Sequence, residues 1–152
     1  MAKQSAGLLL YRETARGVEV LLVHPGGPFW AKKDDGAWSI PKGEFEEGED
    51  PLRAALRECE EELGTTVAGD LVRLEPIRQP SRKMVHAWAV RFEFDPARLK
   101  SNTFSMEWPP KSGTLREFPE VDRAQWFNLD EARRRILRGQ APFLDQLVDR
   151  LA

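Results

Sequence analysis

The chain has few of the residues that staple small proteins together. Its 152 residues include one cysteine and two histidines, so no internal disulfide can close and a cysteine-based structural zinc centre is excluded. Long apolar runs are missing as well. Stretches such as "GLLLY" and "VLLVH" are far too short to cross a bilayer, and Met1-Ala2-Lys3-Gln4 shows no charged leader ahead of an apolar segment. Nor is there an excess of one charge: 23 Lys and Arg against 25 Asp and Glu leave a net charge of −2, which supplies no general basic field for nucleic acid. Internal repeats and low-complexity linkers are also lacking. With 41% hydrophobic and 32% charged residues, the length suits a core-forming globular chain. These features predict one domain over residues 1–152, a cytoplasmic location, a monomer or homodimer, no membrane association and no stable nucleic-acid complex.

Apolar runs at Ser5–Tyr11 and Val18–His24, joined by "RETARG", predict a hairpin that turns near Gly17. Between His24 and Ala37, Gly, Pro, Lys and Asp break both periodicities, giving a loop that bears Trp30, Lys32 and Lys33. Trp38–Pro41 reads as a short strand. A helix follows from Pro51 to Leu63, with Asp50 as its cap and Gly64 as its stop. Leu71–Gln79 and Met84–Phe94 read as two strands, the second alternating Val85, Ala87 and Ala89 against His86, Trp88 and Val90. Residues 95–122 contain Pro96, Pro109, Pro110, Gly113 and Pro119 and predict a long loop, a kind of segment more often functional than idle. Ala124–Phe127 gives a last short strand, and "LDEARRRILRG" with "APFLDQLVDRLA" one or two closing helices. The order predicts an α+β domain, layered α/β/α around a mixed β-sheet.

Charge is concentrated in one place. The stretch "GEFEEGEDPLRAALRECEEELG", residues 43–64, holds nine acidic side chains in twenty-two positions. On a helical wheel Leu52, Ala55, Leu56, Cys59 and Leu63 form one stripe facing the sheet, where Cys59 is a small core hydrophobe. Glu58, Glu61 and Glu62 share the adjoining arc, with Glu60 pointing elsewhere. Like charges at this spacing repel. The arc is either a solvated face or a set of oxygen ligands for a hard divalent cation such as Mg²⁺.

Gly43, Glu49, the Arg57-Glu58 pair, the Glu61-Glu62 pair and Gly64 stand at the offsets of the Nudix box. Every fixed position is matched, and the chain therefore resembles the Nudix hydrolases, which cleave a nucleoside diphosphate linked to another moiety. Cys59 and Thr65 replace the usual bulky aliphatics, both at packing positions. The lead-in "WSIPKG", Trp38–Gly43, is similar to that of the members acting on dinucleoside polyphosphates. The resemblance implies a Nudix-type α/β/α sandwich and a metal, Mg²⁺ or Mn²⁺, held by the Gly43 carbonyl, Glu58, Glu61 and Glu62. It further implies an Arg57–Glu49 ion pair that orients Glu58, and Glu120 as an additional ligand or base, with Glu117 as second choice. Lys42, Lys32 and Lys33 are candidates for phosphate contact or solvated lysines. Trp108 and Trp30 are either stacking platforms or lids, and Phe104, Lys111 and Arg116 share the late loop with Trp108. His24 and His86 have no partners at metal spacing, and "EARRRILR" reads as a solvated basic face.

The chemistry accounts for the residue types. Pyrophosphate oxygens are negatively charged, so a catalyst must bring cations, align a water and draw charge from the leaving phosphate. Glutamates hold the cation, and one carboxylate left nearby can take the proton of the attacking water. Because all five box side chains are present, turnover is expected in preference to a nucleotide-binding module without it. Dinucleoside polyphosphates or nucleoside triphosphates are the expected substrates, with ADP-ribose or nucleotide sugars as the alternative.

Overall fold

The computed structural model describes residues 3–152; Met1 and Ala2, part of the stretch read for a leader, lie outside the described residues. Strands β1 (Gln4–Thr14) and β2 (Gly17–Pro25) form the expected hairpin, paired from Tyr11↔Val20 to Thr14↔Gly17. The β1 strand is the hub of the sheet. Strand β3 (Lys42–Phe45) runs antiparallel to its first half, and β6 (Met84–Arg91) runs parallel to it from Gln4↔Met84 to Tyr11↔Arg91. Two short strands, β4 (Val72–Arg73) and β5 (Ile77–Arg78), line the outer edge of β6, while β9 (Val121–Asn128) pairs with β2. The result is a mixed seven-stranded sheet of order β4-β6-β1-β2-β9, with β3 and β5 attached to β1 and β6.

Both faces of this sheet are covered, which is why β1 and β2 read as nearly unbroken apolar runs. Alternate residues of β1 serve opposite layers. Ala6, Leu8 and Leu10 pack with Trp88 and Val90 against Ala54, Ala55, Cys59 and Leu63 of helix α1 (Pro51–Leu63). Leu9, with Val85, Ala87 and Ala89, packs on the other side against Trp38, Phe127 and helices α2 (Leu129–Arg135) and α3 (Ala141–Leu151). This is the expected α/β/α sandwich. Cys59 is fully buried, and burial pushes its thiol well above the ordinary range, in keeping with a packing role.

Three expectations need correction. Trp38–Pro41 is not a strand: it makes only the isolated bridges Val23↔Ser39 and Trp38↔Ile136, and the strand proper begins at Lys42. The Ile40 N–H donates to the buried Gln140 side chain at 3.0 Å instead of to a ladder, and Pro41 has no N–H to give. Leu71–Gln79 is two short pieces interrupted around Glu75-Pro76, as proline disfavours a continuous ladder. Residues 95–122 are not structureless. They hold a 3-10 turn at Pro96–Arg98, then a hairpin of β7 (Thr103–Glu107) and β8 (Leu115–Pro119) paired from Thr103↔Pro119 to Glu107↔Leu115. Pro109, Pro110 and Gly113 lie in the turn between these strands, while Pro96 opens the 3-10 turn and Pro119 ends β8. Among the described residues, no helix is long and apolar enough to cross a membrane.

Candidate active site

The acidic helix is set in place by local chemistry and by the sheet. An Asp50 side-chain oxygen accepts the Arg53 N–H at 3.2 Å, Pro51 opens the first turn, and Gly64 closes the helix in the left-handed region (φ 79°), donating to the Glu60 carbonyl at 2.7 Å. In front of it, Ala6↔Gly43 pairing holds the β3 backbone beside α1. A side chain at Gly43 would put its Cβ 2.0 Å from Glu58 Oε2. Only glycine lets the Glu58 carboxylate approach the β3 backbone so closely.

Arg57 lies between the carboxylates. Its Nη1 is 2.8 Å from Glu58 and 3.4 Å from Glu61, while Nε and Nη2 hold Glu49 at 3.2 Å. Burial, then the charge of Glu61, pushes the Glu58 carboxyl upward; Arg57 opposes this. Glu62 is more perturbed. Burial raises it to about 8 against the partial relief of Lys42, whose ammonium attracts it and whose backbone N–H it accepts, and the charges of Glu58 and Glu120 add to the rise. The Lys42 ammonium is itself pushed down, by burial and then by Lys83. Glu120 reaches this group through backbone bonds, its carbonyl accepting Gly26 N–H at 2.9 Å and its N–H donating to the Asn102 carbonyl at 2.8 Å.

Among the described residues, no three acidic, histidine or cysteine side chains converge tightly enough to enclose an ion, because Glu58 and Glu61 are both turned onto Arg57. The residues nonetheless fit a divalent cation in their chemistry. Hard oxygen donors are gathered on one arc, and Glu62 has a buried carboxylate whose ionisation calls for a counter-charge.

A pocket of about 250 Å³ opens next to Glu62 and Glu120, with Lys42 at the same polar end and Val23, Trp30, Ile40 and Leu137 forming its apolar walls. The Lys33 ammonium stands 5.0 Å above the Trp30 ring. Trp108 does not line this pocket. It occupies the turn of the β7–β8 hairpin, edge-on to Phe29 with ring centroids 5.5 Å apart. Lys32 is likewise outside the lining, Arg116 lies over Phe118, and Glu117 accepts from Thr103 across the hairpin. Leu137 escaped the sequence reading, since it belongs to no motif, while His24, read there as having no partners at metal spacing, is fully buried. A separate surface groove of about 780 Å³ lies past the end of α1 at Arg12, Thr65, Phe92 and Arg98, away from the Glu62 pocket.

The NUDIX domain model matches residues 1–147. An RNA pyrophosphohydrolase of Rhodospirillum rubrum is 30% identical over 157 residues, spanning 97% of this chain and 91% of its own length. An asymmetrical bis(5′-nucleosyl)-tetraphosphatase of Caenorhabditis elegans is 38% identical over 66 residues, 43% of this chain and 44% of that one. Among solved structures, a C. elegans Ap4A hydrolase binary complex aligns with a TM-score of 0.64 at 23% identity, covering 99% of this chain and 98% of the other. The NUDIX domain of Shewanella oneidensis NrtR complexed with ADP ribose aligns with a TM-score of 0.67 at 15% identity, covering 100% and 90%. At such identities the structural likeness speaks for the fold. Family members generally use divalent metal ions, the chemistry that the glutamate arc suits. A complete box on a capped helix, a sandwich that matches over its length and a family model spanning residues 1–147 agree: this chain belongs to the Nudix hydrolase family.

Proposed function

We propose that this chain acts as a single-domain, Mg²⁺-dependent pyrophosphohydrolase on nucleotides with several linked phosphates, with dinucleoside polyphosphates preferred over ADP-ribose. The observation that carries the reading is Glu62, a buried carboxyl raised to about 8 that stands with Lys42 and Glu120 at the polar end of an aromatic-walled pocket. Bound Mg²⁺, or Mn²⁺ in its place, would neutralise phosphate charge and polarise the P–O bond to be broken. The chain's own contribution is positional and acid–base. Glu58, Glu61, Glu62 and the Gly43 carbonyl are the candidate ligands. Arg57, clamped by Glu49, orients Glu58, and Glu120 is placed to accept a proton from the attacking water. Lys42 pairs with a substrate phosphate.

The pocket volume limits what can enter. At about 250 Å³ it falls just under the usual range for small-molecule sites, so one base fits against Trp30 while the phosphate chain extends over α1. The Lys33 ammonium covers part of the Trp30 ring, leaving the rest to meet the base. A second reading, hydrolysis at the 5′-triphosphate end of RNA, is favoured by the near full-length R. rubrum relative. A cytoplasmic location suits a chain whose single cysteine is buried and free. The test is a side-by-side comparison of kcat/KM for diadenosine tetraphosphate, a nucleoside triphosphate, ADP-ribose and a 5′-triphosphorylated oligoribonucleotide, with Mg²⁺ and with Mn²⁺. The dinucleotide should lead. A lead for ADP-ribose would overturn the substrate assignment, and no hydrolysis of any compound would favour a binding module.

A further inference from the structure

We infer that His24 is a positioning residue: an imidazole held through both ring nitrogens that ties the Trp30 loop to the Glu120 segment and so sets the wall of the nucleotide pocket. The inference rests on reading that pocket as the nucleotide site. His24 is the penultimate residue of β2, and its side chain is fully buried. Its Nδ1 lies 2.9 Å from Asp122 Oδ1 on β9, and its Nε2 lies 2.6 Å from the Lys33 carbonyl in the loop. The face of the cage is closed by Trp38, whose ring meets the imidazole edge-on at 5.2 Å.

The Lys33 carbonyl can only accept, so the Nε2 contact is a bond donated by the ring, while Nδ1 meets the Asp122 carboxylate, which also lies 3.6 Å from Arg123 Nε. The imidazole is fully buried, and its removal would leave the Lys33 carbonyl without this partner, at the cost of an unmade buried bond. The other charged groups around the cage are already matched: Asp34 accepts from Trp38 Nε1 at 2.8 Å and pairs with Arg135, and Arg123 also lies over the Trp38 ring.

The tether acts on the site from two sides. The loop that it grips carries Trp30, and Asp122 follows directly on Glu120 and Val121, which line the same pocket. Gly26 N–H, two residues after His24, donates to the Glu120 carbonyl. Gly26 and Gly36 tie the loop at its ends, Asp34 anchors its second half to Trp38 and Arg135, and His24 holds it at Lys33, in the turn where Lys33 N–H meets the Trp30 carbonyl at 3.0 Å. Loss of the tether therefore loosens the aromatic wall and leaves the glutamates of α1 where they are.

The test uses the full chain. In ¹⁵N-histidine-labelled protein, the His24 Nε2–H should be protected from exchange by its bond to the Lys33 carbonyl; a ring N–H that exchanges freely would overturn the inference. His24→Gln carries its donors on a single nitrogen and so cannot span both partners, and in the folded variant residues 26–37 should exchange amide hydrogens faster and KM should rise about tenfold, with kcat changed less than about twofold. Asp122→Asn retains an acceptor at Oδ1 and should produce the smaller KM change. Should His24→Gln fail to fold, Asp122→Ala must raise KM in the same direction. Unchanged exchange and KM in the folded variants, or a loss confined to kcat, would overturn the role. The NMR and exchange measurements need no substrate, so a failed nucleotide assignment is told apart from a failed tether.

Discussion

Helix α2 carries Arg133, Arg134 and Arg135 in a row, and each arginine has carboxylate partners, Glu131 being shared by the last two. Arg133 pairs with Asp145, Arg134 with Glu131 at 2.8 Å and Asp35 at 3.6 Å, and Arg135 with Asp34 and with Glu131 at 3.3 Å. Helix α1 carries Glu58, Glu60, Glu61 and Glu62 with far less relief. Arg57 alone serves Glu49, Glu58 and Glu61, and Glu62 has only the half-buried Lys42. Both rows looked alike in the sequence as runs of one sign. They differ in whether the chain itself supplies the opposing charge. The basic row is neutralised and behaves as an ordinary surface, while the acidic row keeps a deficit of positive charge that calls for a cation from outside.

The sharpest way to break this contrast is to remove charge from the acidic row. Glu61→Gln or Glu62→Gln should keep the native circular dichroism spectrum and lower kcat by about 10² or more, because the ligand charge is lost where phosphate charge must be met. Wild-type turnover would place the metal elsewhere. Stability should separate the helices next. The Glu62 carboxyl is raised in the fold, from 4.5 to about 8, so the folded state binds this proton more tightly than the unfolded chain does. Metal-free stability should therefore be highest below about pH 4.5 for this group and fall as pH rises towards 8. Thermal melts should show the decline, a Mg²⁺-induced rise in Tm of roughly 5 °C that is larger at pH 8 than at pH 5.5, and neither effect at full size in Glu62→Gln.

Smaller effects sharpen the picture. Trp30→Ala should weaken nucleotide binding by roughly 1–3 kcal/mol, while Trp108→Ala, at the tip of the hairpin, should change KM much less; a reversed order would move the base to the hairpin. The smallest effect is expected on α2. Arg134→Gln, at an exposed pair network, should shift Tm by about 2 °C or less and leave kcat untouched. A large loss there would show that the basic row, too, meets a ligand.

What could be read in advance divides along range. The α1 cap, its buried stripe and the carboxylate arc depend on residues within one or two turns, and the spacing of Leu52 to Leu63 and Glu58 to Glu62 carries that information directly. The hairpin of β7 and β8 was hidden because the prolines that mark its turn also mark loops. Trp30 could not be told from Trp108 as the pocket wall for a different reason. Which tryptophan meets Glu62 is settled by β2 pairing with β9 and by a His24–Asp122 contact between positions 98 residues apart, and nothing local encodes either. The strand expected at Trp38–Pro41 moved to Lys42–Phe45 because a side chain from a distant turn, Gln140, takes the Ile40 N–H.

The parallel pairing of β1 with β6 also has a consequence for biosynthesis. Leu8 and Leu10 need Trp88 and Val90 beside them before α1 has a surface to settle on, and a thirteen-residue helix is marginal by itself. At roughly 5–20 residues per second, the emerging first strand waits several seconds for its neighbour to leave the ribosome. The Nudix box is by then fully made but has no layer to lie on. Throughout that interval "AGLLLY" lacks its β6 partner, leaving an open apolar edge of the kind that chaperones bind and that seeds misassembly at high expression.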